Sequence, residues 1–297
     1  MDNLNFQTKI LLADILGTDL TDLIIKKKVP NSSQKILFEK KLSKLKEGYP
    51  LDYLLNKTEI KDMHWKLRPG VLIPRLETTH LLDLIVKLRK KQTLKKTTYL
   101  EGLEFFENTN NRIKHKTITL LLTLFREKNL SLLDLGCGSG FIGLSLSNCF
   151  KKTVLTDVSP FALKIAKQNQ LLNKIRNVSF YKSNLLKNTN LIQKIKQNKT
   201  LLICNPPYLP YYDKLEAKTT NTSKEPSLAL YAGHNGLKIF NKLMCDLKKI
   251  KNNTPLVIFE LDPRNIKTAC KISKQTFKHQ LILKDFNNLN RFLFLWH

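Results

Sequence analysis

Apolar and polar positions along the chain change rhythm near residue 118. Before it, residues 4–16, 32–47 and 50–56 set apolar side chains three and four apart, which predicts short amphipathic helices. In "PNSSQ" the asparagine and serines stand where a cap for the second helix belongs. "TEIKDMHWKLRPGVLI" alternates loosely and predicts a strand pair, and "PRLETTHLLDLIVKLRKK" returns to helical spacing. Residues 92–117 are polar and irregular and read as an inserted loop or linker. From 118 onward, apolar strand candidates at 130–135, 153–157, 178–182, 200–204, 255–261 and 279–284 alternate with helical stretches at 140–149, 159–173, 235–250 and 264–276. "RFLFLW" is the last strand. Such alternation predicts an α/β fold, a mostly parallel sheet covered on both faces. Ligands of these sheets bind at the carboxyl ends of the strands. The expected organisation is a helical domain over 1–57, a connecting strand pair over 58–73, and a large domain over 74–297 that contains the 92–117 insertion.

Three strand ends carry unusual residues. "LLDLGCGSGFIGLSL" runs into Asp134 and then Gly136-Cys137-Gly138-Ser139-Gly140 before a helix. Glycines allow a sharp turn and let a ligand lie against bare backbone. The helix start offers unpaired N–H groups to a carboxylate or phosphate. Gly138, Gly140 and Gly143 also spell G-x-G-x-x-G, so a dinucleotide stays open, as does a tight turn with no ligand. In "KTVLTDVSPFALKIAKQNQ", Asp157 ends a strand and Ser159 stands ready to cap the next helix. A carboxylate there takes both hydroxyls of a ribose, or is an ordinary acidic helix-start residue. The third end is "TLLICNPPYLPYY". Neither proline has an N–H, so the strand stops at Asn205 and leaves its carboxamide, with Tyr208, at an open strand end.

Asn205-Pro206-Pro207-Tyr208, with the two other ends, resembles class I S-adenosylmethionine-dependent methyltransferases that methylate planar, sp²-conjugated amino nitrogens. The residue types suit that chemistry. The lone pair of such an NH₂ is shared with its π-system. Asn205 Oδ1 and the Pro206 carbonyl, each accepting one hydrogen, would fix the nitrogen and stabilise the charge that grows on it. Tyr208 would stack on the planar group and face a neighbouring cation.

The resemblance narrows with "GYPLDYLLNKTEI", "GVLIPRLETTHLLDLIV" and "KEPSLALYAGHNGLKIF", which occur with the motifs above in the order found in the PrmC/HemK family. Those proteins are N5-glutamine methyltransferases acting on the Gly-Gly-Gln motif of class 1 peptide chain release factors. The resemblance covers nearly the whole chain, and implies a Rossmann-like seven-stranded sheet with a small N-terminal helical domain for substrate recognition. By position it implies that Gly136, Cys137, Gly138, Ser139 and Gly140 hold the methionine part of S-adenosyl-L-methionine and that Asp157 holds its ribose. Asn205 through Tyr208 would hold the glutamine, with Asn205, Pro206 and Tyr208 catalytic and Asn205 also beside the cofactor. S-adenosyl-L-homocysteine would be the product, with no metal. Arg75 and Glu77 would help shape the site, an ion pair within their helix being the alternative. Glu225-Pro226 would organise the loop over the substrate, or form a mere turn. Two features depart from the family: Asn184 stands where an aspartate usually faces the adenine, which leaves a weaker acceptor, and 92–117 is longer than usual.

Composition adds limits. There are 51 Lys plus Arg against 24 Asp plus Glu, a net charge of +27. That field favours RNA, DNA or acidic protein surfaces, yet the lysines are dispersed as in a compositional drift. It keeps a nucleic-acid N6-adenine or N2-guanine methyltransferase in view as the alternative. A non-enzymatic binding module on the same fold is argued against by the intact glycines, Asp157 and Asn-Pro-Pro-Tyr. Five scattered cysteines, without a C-x-x-C pair, fit a reducing cytoplasm. "MDNLNFQTK" has no apolar signal-like core, and no run is long enough to cross a bilayer.

Overall fold

The computed structural model describes residues 2–26, 28–90, 111–216 and 224–297. Helices α1 (Asp2–Leu16), α2 (Leu20–Lys26), α3 (Ser32–Lys46) and α4 (Leu51–Leu55) come first. Leu11, Leu45 and Leu54 form their shared core. Asn31 caps α3 in a reciprocal box: its Oδ1 accepts from the Gln34 N–H and the Gln34 side chain accepts from the Asn31 N–H. The spacing argument did not predict α2, a seven-residue helix with no buried side chain.

Strands β1 (Lys57–Ile60) and β2 (Met63–Lys66) pair as an antiparallel hairpin. Helix α5 (Leu76–Arg89) follows, and α6 (Asn111–Phe125) leads into the sheet. The last seven residues of the segment expected to be irregular, 111–117, are therefore helical, because they extend the helix that the apolar run 118–125 anchors. Residues 92–110 of that segment lie outside the described residues.

The remaining elements are β3 (Ser131–Leu135), α7 (Phe141–Leu146), β4 (Thr153–Asp157), α8 (Pro160–Leu172), β5 (Val178–Lys182), α9 (Thr189–Lys196), β6 (Thr200–Cys204), α10 (Asp213–Glu216), α11 (Ser227–Leu230), α12 (Lys238–Leu247), β7 (Leu256–Glu260), α13 (Ile266–Ser273), β8 (His279–Lys284) and β9 (Asn290–Trp296). One seven-stranded sheet runs β5-β4-β3-β6-β7-β9-β8, parallel from β5 to β7 and antiparallel on both sides of β9.

Strands β3, β6 and β7 are buried along their whole length, hence their near-continuous apolar runs. Alternate residues feed opposite layers. Leu132, Leu201 and Leu256 join the core under α5 and α7, while Leu133, Leu202 and Val257 join the core under α12 and α13. From β3 the chain winds outward through β4 and β5, then returns to build β6 and β7 on the other side. That reversal puts a crevice between the carboxyl ends of β3 and β6.

The hairpin is tied to this crevice by Asn169 on α8, which is fully buried. Its Oδ1 accepts from Lys66 N (2.7 Å), and its Nδ2 donates to Lys66 O (3.2 Å) and to Ser139 O (2.9 Å) in the glycine loop. Trp65 packs edge-on against Phe141, ring centres 5.1 Å apart, where that loop becomes α7. Among the described residues no helix is long and apolar enough to cross a membrane.

Candidate active site

In the β3–β6 register Asp134 pairs with Ile203, so the glycine loop that follows β3 and Asn205 that follows β6 leave from neighbouring strand ends. The glycine loop is folded back onto β4: the N–H groups of Gly136 and Cys137 both donate to Thr156 O at 2.8 Å. Gly138 N donates to Asp157 Oδ2 (2.9 Å) and Ser159 N to Asp157 Oδ1 (2.8 Å), so the carboxylate is clamped at the loop's edge. Burial raises the Asp157 carboxyl above its usual range against the pull of these N–H groups. Ser159 caps α8 by accepting from Ala162 N at 3.2 Å.

The glycines divide by role. A Cβ placed on Gly136 or Gly138 would meet no heavy atom within 4 Å, so their backbone forms an open rim. A Cβ on Gly143 would stand 2.9 Å from Asp134 and Leu155, and on Gly140 2.9 Å from Leu144. Gly143 serves helix-on-strand packing and Gly140 the packing of α7 on α8, which is why G-x-G-x-x-G alone was ambiguous. The side chains of Cys137 and Ser139 are buried, so these residues offer a ligand only main chain. Helix α7 is six residues long, and its Gly143 N–H is already taken by Asp134 Oδ2 at 2.7 Å. The supply of free helix N–H groups is thus smaller than the sequence implied. Burial pushes the Asp134 carboxyl up to about 7, against the Gly143 N–H and helped by the charge of Asp157. Asn184 is exposed, just past the end of β5 beside β4.

On the other side of Asn205 lies a cavity of about 440 Å³. Its lining brings together Arg75, Glu77, Asn205 and Tyr208 with Glu260 and Arg291. Asn205 and Tyr208 are half-buried and Pro206 is buried. Among the described residues no donor meets the Pro206 carbonyl. The turn is held from behind: Tyr208 N and Leu209 N donate to Leu230 O (3.1 and 2.8 Å), and Asn265 Nδ2 donates to Tyr208 O (3.2 Å).

Arg75 pairs with Glu225 rather than with Glu77. Its Nη2 lies 2.5 Å from Glu225 Oε1, while Ile73 N donates to Glu225 Oε2 at 3.1 Å. The segments "PRLET" and "EPSLAL" therefore meet through one buried carboxylate. Glu225 is 2% exposed and Arg75 29%, so Glu225→Gln breaks a mostly buried pair and leaves the guanidinium uncompensated. We expect a loss of about 3 kcal/mol, read as a lower midpoint in urea unfolding.

Sequence reasoning missed Glu260, Thr78, Arg291 and Asn265. Glu260 is the most consequential: it is 1% exposed, its Oε2 accepts from Thr78 Oγ1 at 2.8 Å, and it lines the same cavity as Asn205 at the end of the adjacent strand. A signal did exist, since "LVIFE" ends an otherwise apolar strand on an acid, as "LLDL" and "TVLTD" carry theirs at or near the same rim.

Residues 109–221 match the model of the methyltransferase small domain, a span holding the glycine loop, Asp157, Asn184 and Asn205–Tyr208. The chain is 29% identical over 299 residues to a release factor glutamine methyltransferase of Borreliella burgdorferi, covering 99% of this chain and 90% of that one. A protein of the same description from Flavobacterium psychrophilum is 29% identical over 88% of this chain and 80% of its own. A bifunctional methyltransferase of Rickettsia typhi is 27% identical over 90% of this chain, which spans about half (48%) of that longer protein. A methyltransferase model thus matches the residues that build both sides of the crevice, and along nearly its whole length the chain is similar to release factor glutamine methyltransferases.

Proposed function

We propose that the protein transfers the methyl group of S-adenosyl-L-methionine to the side-chain N5 of the glutamine in the Gly-Gly-Gln motif of class 1 release factors. One observation carries the reading: a carboxamide, Asn205, follows the end of a central strand whose neighbour runs into an open glycine rim, and it lines a charge-balanced cavity. The cofactor fits the residues present. Bare backbone at Gly136 and Gly138 borders Asp157, whose oxygens each accept one N–H and keep lone pairs for ribose hydroxyls. When bound, it supplies an electrophilic methyl group on a sulfonium sulfur.

The protein's own residues do the rest. Asn205 Oδ1 and the Pro206 carbonyl each accept one hydrogen of the glutamine NH₂, fix its plane and stabilise the positive charge growing on nitrogen. The prolines keep that carbonyl out of any ladder. Tyr208 covers the planar amide, and Asn184 accepts from the adenine amino group without a full charge. No strong base is needed, because the alkylated nitrogen sheds its proton readily. The rate gain is alignment and exclusion of water.

The net charge of +27 favours the second reading, a nucleobase substrate. The cavity does not share that excess: Arg75, Arg264 and Arg291 are balanced by Glu77, Glu260 and Asp262. Arg264 is moreover bound to Asp213 and Asp262, and Arg291 to Asp285. A mouth with no free cation among the described residues suits a peptide better than a phosphodiester. The N-terminal helices, with the release factor as their partner, are the recognition unit of this proposal, and the work of translation termination places the protein in the cytoplasm.

Labelled S-adenosylmethionine, a purified release factor and bulk RNA in one incubation test this. Label on the factor's Gly-Gly-Gln glutamine is the expected result; label on RNA and never on the factor overturns it. Asp157→Ala removes the ribose acceptor and the partner of Gly138 N. It is expected to weaken cofactor binding about 10- to 100-fold by calorimetry, the worth of one or two charged hydrogen bonds.

A further inference from the structure

We propose that Glu260 is the positioning residue for Asn205: its carboxylate accepts from the Asn205 carboxamide nitrogen and so turns Oδ1 toward the substrate. The inference rests on the proposed methyl transfer and deepens it. An asparagine carboxamide has one accepting end and one donating end of nearly equal shape, and only its neighbours decide which end faces a ligand. At the end of β6 the deciding neighbour is Glu260, the last residue of the adjacent strand β7. The two side chains leave neighbouring strand ends, Cys204 pairing with Phe259 just before them, and interact; an ionised carboxylate only accepts, so Asn205 must present Nδ2 to it. Oδ1 is then the end left for the cavity that both residues line.

Thr78 holds the carboxylate from the other side, its hydroxyl 2.8 Å from Glu260 Oε2. Thr78 is buried in the first turn of α5, directly after Arg75 and Glu77. The "PRLET" segment thus reaches the substrate through a chain of three side chains, Thr78, Glu260 and Asn205, without touching it. The charged and titratable groups facing Glu260 come from four elements: Glu77 on α5, Arg291 on β9, Tyr208 after β6, and Asp262 just beyond β7. Burial pushes the Glu260 carboxyl up to about 7, offset by Thr78 and by the charge of Arg291.

A protonated Glu260 would carry a donor of its own. It would then offer its O–H to Asn205 Oδ1, and the amide would turn Nδ2 toward the substrate NH₂, donor against donor. Activity should therefore rise with pH through about 7. Stability runs the other way. A carboxyl whose folded pKa is raised contributes stability that is present at low pH and lost as pH climbs through about 7. The isosteric Glu260→Gln has no such loss, so its Tm should gain on that of the wild type between pH 5 and pH 8.

Kinetics on the release factor, with the pH profile, test the inference. Glu260→Gln is expected to lower kcat about 10- to 100-fold, the worth of one charged hydrogen bond, with KM for both substrates within about twofold and no inflection near 7. Thr78→Val, which removes the hydroxyl that favours the ionised form, should move the inflection to higher pH, and Thr78→Ser should return it. A wild-type kcat in Glu260→Gln, or the same inflection retained, overturns the assignment. If the wild-type protein leaves the factor unlabelled, the functional reading fails instead. The ¹⁵N-labelled Asn205 carboxamide then decides the inference alone: its signal should titrate near pH 7 in the wild type and not in Glu260→Gln, and a flat wild-type signal overturns it.

Discussion

Asn205→Ala is expected to reduce methyl transfer about a thousandfold while S-adenosylmethionine binding stays within a few-fold of wild type. Removing one preorganised polar partner of a transition-state charge costs ~10²–10³ in kcat. Two consequences put this case at the upper end. The substrate NH₂ loses the acceptor that fixes its plane, and Glu260, 1% exposed, loses its proposed hydrogen-bond partner inside the protein. The proposed cofactor site is the Gly136–Gly140 backbone and Asp157, which Asn205 does not support, since the loop is tied to Thr156 and Asp157. Asn205→Asp sharpens the test. It keeps the shape and an accepting oxygen, but sets a second carboxylate against Glu260 where a donor is required. Two carboxyls in contact share a proton, so the loss should be larger at pH 8 than at pH 6. A large fall in cofactor affinity in Asn205→Ala would mean that Asn205 acts on the other side of the crevice.

What could be read in the chain, and what could not, follows from the range of the forces involved. Strands β3, β6 and β7 announce themselves because a strand buried on both faces reads as a near-continuous apolar run. The end of β6 is legible because Pro206 and Pro207 cannot continue a ladder, whatever surrounds them. Helix α2 escapes because none of its seven residues is buried, so no core-facing period is written into it. The polar framework of the site escapes for a different reason. Arg75 meets Glu225 across 150 positions, and Thr78 meets Glu260 across 182. No local pattern encodes such a pairing; only the strand order brings the partners together. Glycine shows the same limit at one motif. Gly138 and Gly143 look alike in G-x-G-x-x-G, yet one borders open space and the other is pressed against Asp134.

A glycine outside that motif supplies the second large effect. Gly236 has φ +73°, and a Cβ there would stand 2.1 Å from Tyr208 O and 2.6 Å from Asn265 Nδ2, the atom that donates to that same carbonyl. A methyl group cannot occupy such a position. Gly236→Ala must drive the Tyr208 carbonyl away by roughly 1 Å, break the Asn265 hydrogen bond, and hold an L-residue in the left-handed region, at ~1–2 kcal/mol for the conformation and ~1 kcal/mol for the bond. The displaced carbonyl is three residues from Asn205, on a turn that two prolines make too stiff to absorb the shift. A misplacement of that size costs ~10² in rate when alignment supplies most of the acceleration. The expected result is a loss of about 2–3 kcal/mol in unfolding free energy, a hundredfold lower kcat, and cofactor affinity within about threefold, because the shift falls on the substrate side of Asn205. Gly138→Ala, also at positive φ (+55°), shares the conformational cost, but its Cβ stands free of the protein on the proposed cofactor rim, so its functional loss should fall on cofactor affinity instead. A Gly236→Ala enzyme with wild-type kcat would show that the position of the Tyr208 backbone does not govern the reaction.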